Sequence, residues 1–207
     1  MKRMILTLGL MVVVLMAGKA EATLLDRGAD MVYDDVLDIT WTRQAGDGVL
    51  RTWADQNAWA AGLSVDGLTG WRLPYASVAA GAGPTTSVVE CWSATEAQCR
   101  DNEMGYMFYY NLGGTFPNDK TGNQTAVGGQ MLTGIQSDYW SGTQYDSGLE
   151  WDFSFSEGLQ GFSSGLLLYA WAVRPGDVAS VPEPGTWLLL GVGLLGLVVV
   201  CRRRRKA

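Results

Sequence analysis

The chain contains no histidine. That absence removes Ser-His-Asp and Cys-His catalysis and every histidine-bearing metal triad at once. Cysteine is nearly as scarce, with Cys91 and Cys99 in the central stretch and Cys201 near the end. Three thiols without an imidazole do not complete a four-ligand structural zinc site. Positive charge is also short. Between residues 23 and 180 only Arg27, Arg43, Arg51, Arg72, Arg100, Lys120 and Arg174 are basic, against nineteen acids, so this stretch carries a net −12 while the whole chain carries −6. A surface this acidic repels phosphate backbones, which excludes nucleic acid as a partner. It favours solubility and, at most, loosely held divalent cations. Phosphate loops are missing too, because no Gly-Lys-Ser/Thr follows the scattered glycines.

What is present sits first at the two ends. Lys2 and Arg3 precede an apolar run over residues 4–17, and Ala20-Glu21-Ala22 places small residues where a signal peptidase reads them. This grammar predicts a signal peptide over 1–22, cleaved after Ala22; the alternative is a retained N-terminal membrane helix, for which the run is short. At the other end Val181-Pro182-Glu183-Pro184 leads into an uncharged apolar stretch, then Cys201 and the basic cluster Arg202, Arg203, Arg204, Arg205 and Lys206. About 16 apolar residues make a helix of roughly 24 Å, short of a ~30 Å hydrocarbon core but insertable with local thinning. The expected organisation is a linker over 178–184, a C-terminal transmembrane helix over 185–201 and a basic cytoplasmic tail over 202–207. Lys and Arg hold their flank inside, so the domain before the helix faces outward.

The order Val-Pro-Glu-Pro, apolar helix, Arg-rich terminus resembles the PEP-CTERM sorting signal. The resemblance implies recognition by an exosortase, processing near Pro182, Glu183 and Pro184, and an association with exopolysaccharide and the outer surface. Such a tail reports an address rather than an activity. The membrane anchoring is then a stage that processing ends.

The middle, residues 23–177, is long enough for one domain with a real core. Eight of the nine tryptophans lie there, together with abundant glycine, which suggests many turns around an aromatic core. An exported domain with two cysteines is expected to pair Cys91 with Cys99, the alternatives being two free thiols or half a metal site. Residues 24–30 and 31–42 read as strands, with Asp34-Asp35 at a hairpin turn. Thr52 reads as the N-cap of a helix over 53–63, on which Trp59 and Leu63 mark a face. Residues 76–86 read as a surface loop, 96–110 as a second helix and 111–129 as turns. Leu149, Trp151, Phe153 and Phe155 alternate with Glu150, Asp152, Ser154 and Ser156, as in a strand wet on one face. Residues 166–174 read as a central strand. Arg72 and Arg174, beside apolar runs, are expected to pair with a carboxylate or loop carbonyls at a sheet end.

Several landmarks recur in a set order: Ile39-Thr40-Trp41-Thr42, Gly70-Trp71-Arg72-Leu73-Pro74, Met104-Gly105-Tyr106 with Phe108-Tyr109, Tyr139-Trp140-Ser141-Gly142-Thr143, and Ala170-Trp171-Ala172-Val173-Arg174. The set resembles the Lcl C-terminal domain family, a domain of unknown function similar to C-type-lectin-like and formylglycine-generating-enzyme folds. It implies an α+β, C-type-lectin-like domain with two helices, a twisted antiparallel sheet and a long loop region.

For chemistry, Glu150 with Asp152, and Asp34 with Asp35, are the carboxylate pairs available to a glycan hydrolase. Glu150 and Asp152 are expected on a solvent face, where acids are commonest. Asn118, Asp119, Asn123 and Asp138 offer oxygens for calcium, but nothing in the sequence fixes them together. No catalytic, cofactor or metal residue is assigned. The expected function is an exported, non-enzymatic binding or structural module of the surface matrix, its partners signal peptidase, exosortase, the membrane and extracellular polysaccharide. A carboxylate-based glycan hydrolase is the alternative. An ice-binding role is weaker, since the threonines form no regular array.

Overall fold

A computed structural model of the protein describes residues 23–28, 30–76, 78–79, 83–84 and 90–178. The expected signal peptide with its cleavage after Ala22, the Pro182-Glu183-Pro184 motif, the transmembrane helix over 185–201 and the basic tail lie outside the described residues. Among the described residues no helix is long and apolar enough to cross a membrane. The fold is mainly β with short helices.

Its frame is a four-stranded antiparallel sheet in the order β1 (Leu24–Asp26), β2 (Met31–Asp34), β3 (Ile39–Thr42) and β11 (Val173–Pro175). The first and last strands of the domain therefore share one sheet, which brings residues 23 and 178 to the same side of the molecule. The predicted hairpin turn falls between β2 and β3, where Asp34 ends the strand and accepts hydrogen bonds from the Val36 and Leu37 amides at 3.1 and 3.0 Å. A short carboxylate bonding its own backbone two and three residues on is the usual reason Asp sits in such turns.

A second, three-stranded sheet runs β10 (Leu159–Ser163), β9 (Leu149–Ser154), β8 (Asp138–Asp146). Two minor pairs complete the strands, β4 (Val78–Ala79) with β5 (Gly83–Pro84) and β6 (Gly122–Thr125) with β7 (Met131–Ile135). Between the two larger sheets lies an aromatic core. Trp41 and Trp171 meet edge to face at 4.9 Å, Phe108 meets Phe153 and Phe155 at 5.8 and 6.0 Å, and Tyr139 meets Phe155 at 5.4 Å. Edge-to-face pairs add about 0.5–1.5 kcal/mol each beyond the area they bury.

The first predicted helix is α1 (Trp53–Gly62), capped by Thr52, whose hydroxyl accepts from the Asp55 amide. Trp53 Nε1 donates to the Ser141 carbonyl at 2.7 Å, and buried Gln56 donates to the Val49 and Leu168 carbonyls at 2.8 Å each. These bonds fix α1 against β8 and the chain on either side of it.

Two expectations need correction. The second helix over 96–110 is not continuous: it is α2 (Glu96–Cys99), α3 (Glu103–Tyr106) and a π turn over Met107–Asn111. Asn102 is the reason, since its backbone is extended and its side chain caps α3 by accepting from the Gly105 amide at 2.9 Å. A residue that caps one helix does not continue another. Cys99, the last residue of α2, is joined to Cys91 by a disulfide. The second correction concerns 166–174, expected as one central strand. Only Val173 and Arg174 of that stretch join a ladder, in β11; Leu168 bridges to Arg51 and Tyr169 to Tyr139. The segment stitches the two sheets together, so successive residues take different partners and no single ladder forms. Leu166 and Leu167 at its start are half exposed instead of buried.

Residues 103–108, from the stretch expected as the second helix, and 111–112, from the stretch expected as turns, are largely buried, and Met104, Met107, Phe108 and Leu112 belong to the main core.

Candidate binding site

Three separate stretches form a cavity of about 260 Å³ at one end of the inner strands β2 and β3 of the four-stranded sheet. Asp30 comes from the start of β2, Thr42, Gln44, Gly46 and Asp47 from the chain leaving β3, and Trp59, Leu63 and Val65 from the end of α1 and the chain leaving it. The chain after β3 is held by backbone bonds, Ala45 N to Thr133 O at 2.9 Å and Thr133 N to Arg43 O at 3.0 Å. Trp59 and Leu63 stand four residues apart, the spacing that stacks side chains along one helix face.

The walls are apolar and the rim is polar. Asp30 is exposed and its carboxylate has no partner among the described residues, whereas Gln44 donates to Gly46 O at 3.0 Å and keeps its amide oxygen free. Asp47 is bonded twice by Arg51, at 3.1 and 2.6 Å, which holds its carboxyl below the ordinary carboxylate range. The Arg51 guanidinium also lies 5.9 Å over the Trp59 ring. Cavities that take drug-sized ligands measure about 300–1,000 Å³, so this one suits a single small group such as one sugar residue. A second aromatic feature, on the three-stranded sheet, is self-contained: Tyr145 and Phe162 stack at 4.5 Å and Trp151 packs edge-on to both.

The acids singled out in the sequence take structural positions. Asp34 is fully buried and also accepts from Asn111 Nδ2 at 2.6 Å; Asp35 is exposed in the turn, so the two form no working pair. Asp152 is not on a wet face: its carboxylate lies over Gly161, where a Cβ would come within 2.6 Å, and accepts from Ser163 at 2.7 Å. Burial pushes its carboxyl up, outweighing the Ser163 bond. Of the calcium candidates, Asp119 accepts from the Thr121 amide in its own turn, and Asn123 accepts from the Gly134 amide across the β6–β7 pair. Among the described residues no group of three or more His, Cys, Asp or Glu gathers as a metal site.

Both arginines behave as read. Arg72 forms a two-pronged pair with Glu103, 2.7 Å on each arm, and Arg174 donates to the Thr69 carbonyl at 2.8 Å. The cavity itself is not visible in the sequence. Its one signal is Trp59 at helical spacing from Leu63, which reads equally well as core.

Asp34 makes one testable point. Desolvation pushes its carboxyl up to about 6, outweighing the bonds from Leu37, Asn111 and Val36. The folded state thus holds this proton more tightly than the unfolded chain, whose carboxyl titrates near 3.8. The stability this contributes is complete below about pH 4 and is lost as pH rises through about 6. Asp34→Asn keeps an oxygen for the two turn amides, and once the Asn111 carboxamide turns over, the new N–H can donate to Asn111 Oδ1, which is buried without a partner in the wild type. At pH 7.5 the variant is expected to exceed the wild type by up to about 3 kcal/mol, from roughly 1.4 kcal/mol for each tenfold difference in proton affinity between the folded and unfolded states. At pH 4 the two should unfold at nearly the same urea concentration. A gap that is equal at both pH values refutes this account.

Residues 180–205 match the PEP-CTERM protein-sorting motif. The motif implies a protein exported and sorted by an exosortase to the extracellular surface, with exosortase as its processing partner. No curated protein and no solved structure matches the chain.

Proposed function

We propose that the domain over 23–177 is a binding module of the extracellular matrix that holds polysaccharide through the cavity beside α1, and that it is not an enzyme. The observation that carries this reading is the Trp59 wall beside free polar groups, the Asp30 carboxylate and the Gln44 oxygen. Sugars present C–H faces that pack on indole rings and hydroxyls that need acceptors, and a few placed polar groups in an apolar cavity give such a ligand its orientation. The sorting motif supplies the setting, since an exosortase-sorted protein meets the polysaccharide outside the cell. On this reading the C-terminal apolar helix anchors the domain until processing near Pro184. The ordered aromatic landmarks support a lectin-like domain of the Lcl C-terminal kind as its framework.

The hydrolase alternative loses ground to the position of its acids. Asp152 is tied to Ser163, Asp34 closes a turn, and neither lines the cavity.

The test is binding of the full chain, in detergent micelles, to extracellular polysaccharide from the producing bacterium. Trp59→Leu, which keeps apolar volume and removes the indole, is expected to weaken binding tenfold or more, and Gln44→Ala severalfold. Melting temperatures of both variants, read alongside, separate lost binding from lost folding. A folded wild-type chain that does not retain the polysaccharide, or variants that bind as the wild type does, would overturn the proposal.

A further inference from the structure

We infer that the cavity selects a sugar residue carrying a free, protonated amine over a neutral or acidic one, an inference that rests on the cavity being a glycan site. The reason begins with the distribution of charge. Five of the six arginines among the described residues are committed to carboxylates: Arg27 to Asp177, Arg43 to Asp26, Arg51 to Asp47, Arg72 to Glu103 and Arg100 to Glu96. The sixth, Arg174, donates to the Thr69 carbonyl. Neither Arg174 nor Lys120, the one lysine among the described residues, lines the cavity, so no uncommitted cation there meets a uronate or a sulfate, and the domain's net −12 repels either.

The cavity has the opposite preference. Arg51 and Asp47 neutralise one another at its edge, so the Asp30 carboxylate is the charge that remains. Trp59 offers an aromatic face, and that ring already accepts one cation, the Arg51 guanidinium at 5.9 Å. An aromatic ring beside a carboxylate is the pairing that binds ammonium groups, the first through its quadrupole and the second through charge. Leu63 and Val65 add apolar surface beside the ring, and with Asp30 exposed the ion pair forms at the rim, where salt screens it. A 2-amino sugar supplies the C–H face for the ring and the ammonium for Asp30 in one residue. Its N-acetyl counterpart supplies only the first.

The experiment is calorimetric titration of the full chain in micelles with three probes: a tetramer of β-linked glucosamine, the matching N-acetylglucosamine tetramer and a glucuronate-containing oligosaccharide. At pH 6 the sugar amine is charged, as an α-amino group of pKa about 7.7–8.0 would be. There the glucosamine tetramer is expected to bind about tenfold more tightly than the N-acetylated one, with the glucuronate probe weakest. Raising salt, or raising the pH to 9, should erase the preference, because both act on the ammonium. Asp47, held ionised by Arg51, does not change charge over that range. Asp30→Asn, at an exposed position, keeps an acceptor oxygen and removes the charge, so it should lower glucosamine affinity about tenfold and that of the N-acetylated tetramer much less, closing the gap between the two. Equal, Trp59-dependent affinity for both tetramers overturns the amine selection and leaves the glycan site standing. So does a preference that survives Asp30→Asn. No binding of any probe, or binding that Trp59→Leu leaves unchanged, overturns both.

Discussion

Glu103→Gln is expected to lower the unfolding free energy by about 3–5 kcal/mol, the cost of removing one partner from a buried ion pair. The carboxylate is 7% exposed and serves three donors: both arms of Arg72 and the Tyr75 amide, each at 2.7 Å. Glutamine keeps the shape but turns one acceptor into a donor facing the guanidinium. Arg72 stays charged, because a guanidinium does not give up its proton at accessible pH even when desolvated. Its remaining partners are the Leu73 carbonyl at 3.0 Å and the Tyr75 ring at 4.0 Å. Neither neutralises a charge that has been taken out of water. The pair also spans the fold. Arg72 bridges to Val173 beside the four-stranded sheet, while Glu103 opens α3, so the loss should free the segment around the disulfide first. The decisive measurement is urea unfolding of Glu103→Gln beside Arg72→Met/Glu103→Gln. The double variant should recover part of the loss, because the orphaned charge is gone. A double variant less stable than Glu103→Gln would show that the charge was not the cause.

How far this fold was legible depends on whether the deciding interactions are local. The hairpin of β2 and β3 was readable because Asp34 bonds its own turn amides. The start of α1 was readable because Thr52 caps it from three residues away. The second helix was not, since Met104, Met107 and Phe108 keep helical spacing across the break and Asn102 resembles any polar surface residue until its carboxamide is seen capping Gly105. Alternation along β9 marked the strand but misjudged its other face. Asp152 is covered because its cross-strand neighbour, Gly161, has no side chain to keep it out, and pairing across strands is invisible in one segment. The cavity is the extreme case. Its walls come from three stretches that look ordinary separately, and long-range contacts at Thr133 and Ala170 determine how they meet.

Gly46 is where that convergence is most constrained, and Gly46→Ala is expected to cost about 3–5 kcal/mol and to abolish ligand binding. A Cβ at this position would lie 2.0 Å from the Ala170 carbonyl oxygen and 3.2 Å from its carbon, both backbone atoms. No rotamer change relieves such a contact. The residue also has φ +87°, where an alanine is strained whatever the space; overpacking costs roughly 1–3 kcal/mol and left-handed backbone about 1–2. Gly48 separates the two causes. It has a similar φ of +72° but nothing within 4 Å of its Cβ position, so Gly48→Ala should show the backbone cost alone, about 1–2 kcal/mol, with binding retained. Pushing residue 46 away from Ala170 moves Gln44 and Asp47, which line the cavity on either side of it, and loosens a segment whose next residue, Trp171, packs on Trp41. Stability and affinity should therefore fall together in Gly46→Ala and part company in Gly48→Ala. If the two variants lose equal stability in urea, the close approach of residues 46 and 170 is not what shapes the site.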